Sequence, residues 1–304
     1  MTVAWGLSAI AVAVSAILLA RRHNIRKFEN EVASRRPIGP NGIVIGADPI
    51  ELLGDTSHAV LIIHGFGDTP QSVKPLAVAL NSAGWTVSVP LLAGHGRPLR
   101  QYAAARSDDW IREVTTRYDE LAAQHEVVVV CGISMGAALA VLLTAARPQI
   151  PALVLLAPYL AMPGIIRFKM AIVTLVQFVF RYHPSTGGET SIHDPVARAD
   201  ALGTGVVTAI LLHQLQAVAT MAARALPLVK APTLYLQSRE DNRIPQSAAI
   251  AEFAKLGSQV KEQRWLTGCG HIITVDYCKD EVASQAADWF RQHTPPLPVA
   301  PRNR

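Results

Sequence analysis

The sequence is poor in cysteine and in charged residues, and these shortages exclude several classes of protein. Only three of its 304 residues are cysteines, and only 17% are Asp, Glu, Lys or Arg. Cys131, Cys269 and Cys278 are odd in number and lack the paired C-x-x-C spacing of metal sites, so we expect neither a disulfide framework nor a zinc site. This cysteine usage fits a reducing compartment.

The sequence also lacks the dispersed basic excess that is typical of nucleic-acid-binding proteins. Lys and Arg outnumber Asp and Glu by 28 to 23. Much of this excess lies in one short segment, which contains Arg21, Arg22, Arg26, Lys27, Arg35 and Arg36. The remainder is close to neutral, which argues against a nucleic-acid partner.

A long apolar run stands at the N-terminus. Residues 3–20 are eighteen uncharged, mostly apolar residues, which is about the shortest length that spans a bilayer as a helix. Basic residues follow this run, whereas a secretory signal has them before it. We therefore predict a single-pass membrane anchor over 1–20, with the remainder on the cytoplasmic side, and a basic linker over 21–40. A cleaved signal peptide with export is the alternative.

From residue 41 onward, short apolar runs alternate with segments that are apolar at helical spacing. The runs are rich in β-branched residues and predict buried parallel strands. They cover 42–46, 59–65, 85–90, 126–132, 152–158 and 233–238, and a last strand is predicted at 260–266. This alternation predicts an α/β fold with a doubly wound, mostly parallel sheet.

The alternation stops between residues 159 and 228, where helical patterns follow one another with no convincing strand between them. We predict a helical insertion in the sheet, which divides the α/β core into 41–158 and 229–293. The Pro-rich tail at 294–304 is predicted to be disordered.

A serine stands between two glycines where a predicted strand passes into a helix. Gly132, Ser134 and Gly136 form a G-x-S-x-G pattern, whose sharp turn makes a serine hydroxyl project above the sheet. Such a hydroxyl needs a base to remove its proton and a carboxylate to orient that base. Asp241 follows one later strand and His271 follows the next, and the ends of parallel strands converge on one edge of a sheet. Ser134, Asp241 and His271 are therefore the candidate catalytic residues.

Two backbone amides are predicted to complete this site. The loop after the strand at 59–65 would bring the amide of Phe66 toward the serine, and Met135 would supply the second amide of an oxyanion hole. Glu240 is the alternative acid beside Asp241.

Three other reactive side chains near these motifs are interpreted as structural. His64 and His95 lie in glycine-flanked loops and are expected to form structural hydrogen bonds. Cys131 is expected to be a small core residue beneath the serine.

Five segments together resemble the α/β-hydrolase carboxylesterases and bacterial monoacylglycerol lipases, over about residues 42–293. They are HGFGDTPQS (64–72), LLAGHGRP (91–98), GISMG (132–136), SREDNRIP (238–245) and GCGHIITVD (268–276). The resemblance implies hydrolysis of short- or medium-chain acyl esters or monoacylglycerols through an acyl-enzyme on Ser134. It implies Asp241 as the acid and His271 as the base.

The resemblance also implies Phe66 and Met135 as oxyanion donors, a lid over 159–228, and no metal or organic cofactor. The apolar stretch 170–180 is too short to span a membrane. It is interpreted as core packing, as the wall of an acyl pocket or as a surface that dips into the bilayer beside the anchor. Asp68 departs from the family, in which glycine is common at this position. Thioester hydrolysis or acyl transfer by the same residues, and a catalytically silent scaffold that binds lipid or a partner, are the alternative functions.

Overall fold

The computed structural model describes residues 2–54, 57–161, 164–185 and 188–296. The strands are β1 (Ile50–Leu52), β2 (His58–Ile63), β3 (Thr86–Val89), β4 (Val127–Ile133), β5 (Leu153–Leu156), β6 (His183–Pro184), β7 (Val206–Val207), β8 (Thr233–Ser238) and β9 (Lys261–Leu266). The helices are α1 (Thr2–Arg35), α2 (Lys74–Ser82), α3 (Leu99–Tyr102), α4 (Ser107–Ala122), α5 (Met135–Ala146), α6 (Gly164–Val176), α7 (Gly188–Ser191), α8 (Pro195–Asp200), α9 (Ala209–Ala225), α10 (Gln246–Lys255) and α11 (Lys279–Gln292).

A seven-stranded sheet with the order β1-β3-β2-β4-β5-β8-β9 forms the centre of the fold. Its neighbouring strands are parallel, except that β1 pairs antiparallel with β3. In the register of the middle strands, Cys131 of β4 lies opposite Ile62 of β2 and Val154 of β5. The predicted mostly parallel α/β sheet is confirmed, and the loops after β2, β4, β8 and β9 leave from the same edge.

Alternate residues of β4 face two separate hydrophobic cores. Val128 and Val130 belong to the core that α4, α5 and α9 cover. Val129 and Cys131 belong to the core that α2 and α11 cover on the opposite face. This burial on both faces is why the strand reads as a continuous apolar run and not as an alternating one.

Helix α1 runs without a break from the apolar N-terminal stretch through the basic stretch to Arg35. This continuity corrects the linker predicted over 21–40, most of which is helical. The side-chain amide of Asn24 exchanges two hydrogen bonds with the backbone of Tyr182, at 3.0 and 3.1 Å. Such contacts hold the second half of α1 against the segment between β5 and β8.

In the first half of α1, the described side chains, those of Trp5 and of residues 8–19, are exposed. Within the ranges that the structure describes, no helix is both long and apolar enough to cross a bilayer. The membrane anchor predicted over 1–20 is therefore not confirmed. In the structure residues 2–20 are the beginning of a longer helix that continues into Arg21 and Arg22.

The N-terminal part of the sheet differs from the prediction. The run at 42–46 forms only an isolated bridge between Ile38 and Val44, because Gly42 and Gly46 have φ angles of 72° and 86° that interrupt extended backbone. Strand β1 was not predicted, since an edge strand of three partly exposed residues leaves no apolar pattern.

The segment between β5 and β8 consists mainly of helices α6 to α9, as the helical pattern predicted. It also contains a short antiparallel pair, β6 with β7, that was not predicted. Helix α9 contributes Leu211, Leu215 and Val218 to the core beside α5. Of the predicted disordered tail at 294–304, residues 297–304 lie outside the described residues.

Candidate active site

Ser134 occupies a strained turn between β4 and α5. Its backbone angles are φ 55° and ψ −117°, a conformation that residues other than glycine rarely adopt. A Cβ atom on Gly136 would lie 2.1 Å from the carbonyl oxygen of Ile63, and one on Gly132 would lie 2.3 Å from that of Gly136. Both glycines are therefore required, because they let α5 approach β2 and β4 closely.

The structure brings Ser134, His271 and Asp241 into one hydrogen-bonded line. His271 Nε2 lies 2.9 Å from Ser134 Oγ, and His271 Nδ1 lies 2.8 Å from Asp241 Oδ2. The three residues come from the loops after β4, β9 and β8, as the sequence predicted. Because the strands are parallel, residues that are far apart in sequence meet at one edge of the sheet.

The surroundings of Asp241 keep its side chain ionised and fixed. Burial would raise its pKa, but contact with His271 and the backbone amides of Arg243 and Ile244 lower the pKa below its usual value. Its Oδ1 accepts those two amides at 2.7 and 2.9 Å, and Gln237 Nε2 donates to Oδ2 at 2.7 Å. Because an ionised carboxylate can only accept hydrogen bonds, His271 carries its proton on Nδ1 and donates it to Asp241. Nε2 is then free to accept from the serine hydroxyl.

Glu240, the alternative acid, is directed away from the candidate histidine. One of its oxygens accepts the amide of Gly268 at 2.7 Å, and the other lies 3.6 Å from His193 Nδ1. About half of its side chain is exposed, whereas the side chain of Asp241 is fully buried. Asp241 is thus the carboxylate that contacts His271.

The loop after β2 lies against the serine. A Cβ atom on Gly65 would be 3.5 Å from Ser134 Cβ, which places the following residue, Phe66, beside the serine turn. Met135 is the first residue of α5, so its amide is among those that a helix leaves without an internal partner. Neither the Phe66 nor the Met135 amide donates a backbone hydrogen bond within the described part of the chain.

Asp68, the departure from the family pattern, is buried in the same loop. Its Oδ1 accepts the amide of Thr69 at 2.9 Å. Burial raises the pKa of Asp68 to about 6, even though the Thr69 amide and the nearby His271 act in the opposite direction. The side chain thus loses its proton between acid and neutral pH inside the protein.

We expect Asp68→Asn to raise the free energy of unfolding near pH 8 by about 2 to 3 kcal/mol, since about two pKa units separate the folded from the unfolded carboxyl group. The folded pKa is the higher one, so wild-type stability is greatest below the unfolded pKa and falls as the pH rises through about 4 to 6. Urea unfolding across this range measures the effect, and an equal gain at pH 4 and pH 8 would contradict it.

His64 and His95 are both buried and hydrogen-bonded to backbone groups. The amide of Leu92 donates to His64 Nε2 at 3.1 Å, and His95 Nδ1 lies 3.2 Å from the carbonyl oxygen of Ala93. Burial lowers the pKa of His64 to about 4 and that of His95 to about 3. Both rings are therefore neutral at physiological pH, which fits the structural interpretation.

The prediction that the cysteines form no disulfide is wrong. Cys269 and Cys278 are bonded, with Cα atoms 5.9 Å apart, while Cys131 is free and buried. Sequence spacing did not reveal the pair, because the chain turns back on itself between β9 and α11. The closed loop contains His271.

We expect the free energy of unfolding of the double variant Cys269→Ser, Cys278→Ser to be about 2 to 3 kcal/mol lower than that of the wild-type protein. Without the bond, the unfolded chain gains the conformational entropy that a closed loop of this length removes. Urea unfolding with and without dithiothreitol measures the difference. The wild-type protein should lose stability on reduction, and the double variant should be indifferent to the reductant. Equal free energies of unfolding of the wild-type protein and the double variant without dithiothreitol would refute the prediction.

Sequence reasoning missed two residues that support this site, Gln237 and Asp276. Gln237 contacts Asp241 directly, and Asp276 accepts the amide of Gly270 at 2.8 Å. Gln237 directly precedes the segment 238–245, and Asp276 is the last residue of the segment 268–276. A buried polar partner of this kind leaves no periodic signal in the sequence. In the ranges described, the His, Cys, Asp and Glu side chains form no cluster that could hold a metal ion.

Comparison with known proteins shows that the chain is similar to lipolytic enzymes. The chain is 30% identical over 251 residues to the thermostable monoacylglycerol lipase of Bacillus sp. (strain H-257), covering 83% of this chain and 97% of that protein. It is 24% identical to a carboxylesterase of Bacillus subtilis (strain 168), covering 77% of this chain and 92% of the relative. A solved structure of the metagenome-derived lipolytic enzymes LipS and LipT superimposes with a TM-score of 0.76 at 28% identity, covering 83% of this chain and all of the other.

The fold, the hydrogen-bonded line and these relatives define an α/β-hydrolase of the esterase and lipase group. A family described as serine aminopeptidase, S33, matches residues 54–277, which is more than half of the chain. The chain belongs to this family.

Proposed function

We propose that this protein is a serine hydrolase that cleaves carboxylic esters of short or medium acyl chains, including monoacylglycerols. The observation that carries the proposal is the line from Asp241 through His271 to Ser134, with contacts of 2.8 and 2.9 Å. The monoacylglycerol lipase and carboxylesterase relatives support the choice of an ester as substrate.

In the first half of the reaction, Ser134 Oγ attacks the carbonyl carbon of the ester while His271 Nε2 takes its proton. The electron pair of the carbonyl bond moves to the oxygen, where the amides of Phe66 and Met135 donate hydrogen bonds to it. Asp241 stabilises the imidazolium. The carbonyl bond then re-forms, and the alcohol leaves with the proton from His271.

In the second half, water attacks the acyl-enzyme and gives its proton to His271. The carbonyl bond re-forms again, the bond to Ser134 Oγ breaks, and the serine recovers its proton from His271. The products are the carboxylic acid and the free enzyme. No other co-reactant is needed.

Residues 159–228 form the lid over this site in our proposal. Their placement between β5 and β8 supports it, as does the contact of Ser191 Oγ with Arg243 Nε, 3.3 Å apart, close to Asp241. In the stretch 170–180, Leu175 and Phe178 are 78% and 71% exposed. Ordinary packing against the core therefore does not account for them, and an apolar lid surface suits substrates with acyl chains.

The experiment is hydrolysis by the full chain, because the second half of α1 contacts the rest of the protein. Substrates are p-nitrophenyl esters from acetyl to palmitoyl, 1-monoacylglycerols, an acyl-coenzyme A thioester and leucine p-nitroanilide. We expect ester cleavage with an optimum at short or medium chains, and little turnover of the thioester or the anilide.

Labelling of the serine by a fluorophosphonate gives an independent measure. A protein that is labelled but cleaves no ester would have a reactive serine and a different substrate class. Preferred cleavage of the thioester or the anilide would replace the ester in the proposal. A protein that is neither labelled nor active would be a silent scaffold.

A further inference from the structure

The segment 190–194 lies against the loop that carries His271. The amide of Ile272 donates to the carbonyl oxygen of Ser191 at 2.9 Å. On the other side of His271, a Cβ atom on Gly270 would lie only 2.7 Å from the carbonyl group of Ser191. The two segments are thus in direct backbone contact.

The same segment also contacts the loop that carries Asp241. The side-chain amide of Asn242 donates to Thr190 Oγ1 at 2.7 Å, and Ser191 Oγ donates to Asn242 Oδ1 at 3.1 Å. The segment 190–194 therefore lies between the loops of the acid and of the base, although it belongs to the insertion between β5 and β8.

A buried carboxylate joins the segment to the histidine loop. Asp276 is inaccessible to solvent. Its Oδ2 accepts the amides of Gly270 and His193, each at 2.8 Å, and its Oδ1 accepts the amides of Asp194 and Tyr277, each at 2.9 Å. Burial would raise the pKa of Asp276, but these four amides lower it below its usual value, so the group is charged at neutral pH.

Both residues next to His271 therefore donate their backbone amides to a fixed acceptor. Gly270 is held by the Asp276 carboxylate, and Ile272 is held by the carbonyl of Ser191. We propose that Asp276 is a positioning residue, which fixes His271 against the segment 190–194 so that Nε2 stays within reach of the serine. The inference rests on the proposed function, because it assigns His271 the role of the base.

Asp276→Asn tests the proposal in the full-length protein. Asparagine has one acceptor oxygen, and its NH₂ group would face two of the four amide donors. Two of the four hydrogen bonds around residue 276 would therefore be lost. We expect kcat for p-nitrophenyl butyrate to fall about 10²-fold, since a displacement of about 1 Å has this effect. KM should change less than about threefold, because the ester-binding surface is not altered.

Asp288→Asn is the matched control. This aspartate lies on α11, is 63% exposed and pairs with Arg291, so its replacement should leave kcat unchanged. If Asp276 only stabilises the fold, Asp276→Asn would lower the melting temperature and leave kcat at the wild-type value well below it. That result would overturn the proposal.

The NMR signal of the proton between His271 Nδ1 and Asp241 adds a direct readout of position. We expect this downfield resonance to shift or disappear in Asp276→Asn and to persist in Asp288→Asn. Gly270→Ala provides a second variant, since its Cβ would push Ser191 away without altering the carboxylate. It should lower kcat similarly, and it decides the matter if Asp276→Asn does not fold.

The two proposals fail in distinguishable ways. If the wild-type protein reacts with a fluorophosphonate but cleaves no ester, the rate of labelling replaces kcat as the measured quantity. A labelling rate that is unchanged in Asp276→Asn and in Gly270→Ala then overturns the positioning role. If the wild-type protein is not labelled, the serine hydrolase proposal fails. The NMR resonance then decides alone whether Asp276 positions His271.

Discussion

Replacing Ser134 with alanine is expected to lower kcat for ester hydrolysis by about 10⁵- to 10⁶-fold. The proposed acyl-enzyme forms on Ser134 Oγ, and alanine has no atom that can replace it. The turn itself should persist, because the amide of Ser134 donates to Leu156 and its carbonyl accepts the amide of Tyr159, and both bonds are made by backbone. The loss should therefore be chemical and not structural.

The measurement is kcat for p-nitrophenyl butyrate, together with the mass of the protein after treatment with a fluorophosphonate. Ser34→Ala is the control, since Ser34 lies on α1 and its hydroxyl contacts only the carbonyl of Glu31 among the described residues. The control should keep both activity and the adduct. A Ser134→Ala protein that still gains the adduct would identify another nucleophile.

Replacing Asp241 with asparagine is expected to lower kcat about 10⁴-fold. Asparagine would place an NH₂ group where Oδ2 now accepts from His271 Nδ1. The imidazole would then carry its proton on Nε2, where it cannot take the proton of Ser134. The remaining oxygen would continue to accept the amides of Arg243 and Ile244.

The surroundings can accommodate this change without unfolding. Gln237 now donates to Asp241 through Nε2, and its Oε1 is buried without a partner in the described part of the chain. Rotation of the Gln237 amide would present Oε1 to the new NH₂ group. We therefore expect the melting temperature of Asp241→Asn to stay close to that of the wild-type protein.

Glu240→Gln is the matched control for Asp241→Asn, because it neutralises the adjacent carboxylate, which contacts Gly268 and His193 instead of His271. We expect its kcat to stay near the wild-type value. Kinetics of both variants with one ester distinguish the two acids. A large loss in Glu240→Gln, with activity retained in Asp241→Asn, would make Glu240 the acid.

The α/β fold could be predicted from the sequence because strands that are buried on both faces must be apolar at every position. Val128 to Cys131 satisfy two cores at once. An edge strand such as β1 has no such requirement and was missed. The helical second half of α1 was missed as well, because Asn24 and its charged neighbours gave a polar pattern that is typical of a linker, and their partner, Tyr182, lies far away in sequence.

The sequence by itself determined the serine turn, since only glycines at 132 and 136 allow the close approach of β2, β4 and α5. It also determined the chain order of Ser134, Asp241 and His271. Only the tertiary structure decided that Asp241 and not Glu240 meets His271, that two cysteines join around the histidine loop, and that Asp276 ties this loop to the insertion. These contacts depend on distances between separate loops, and local sequence patterns carry no information about such distances.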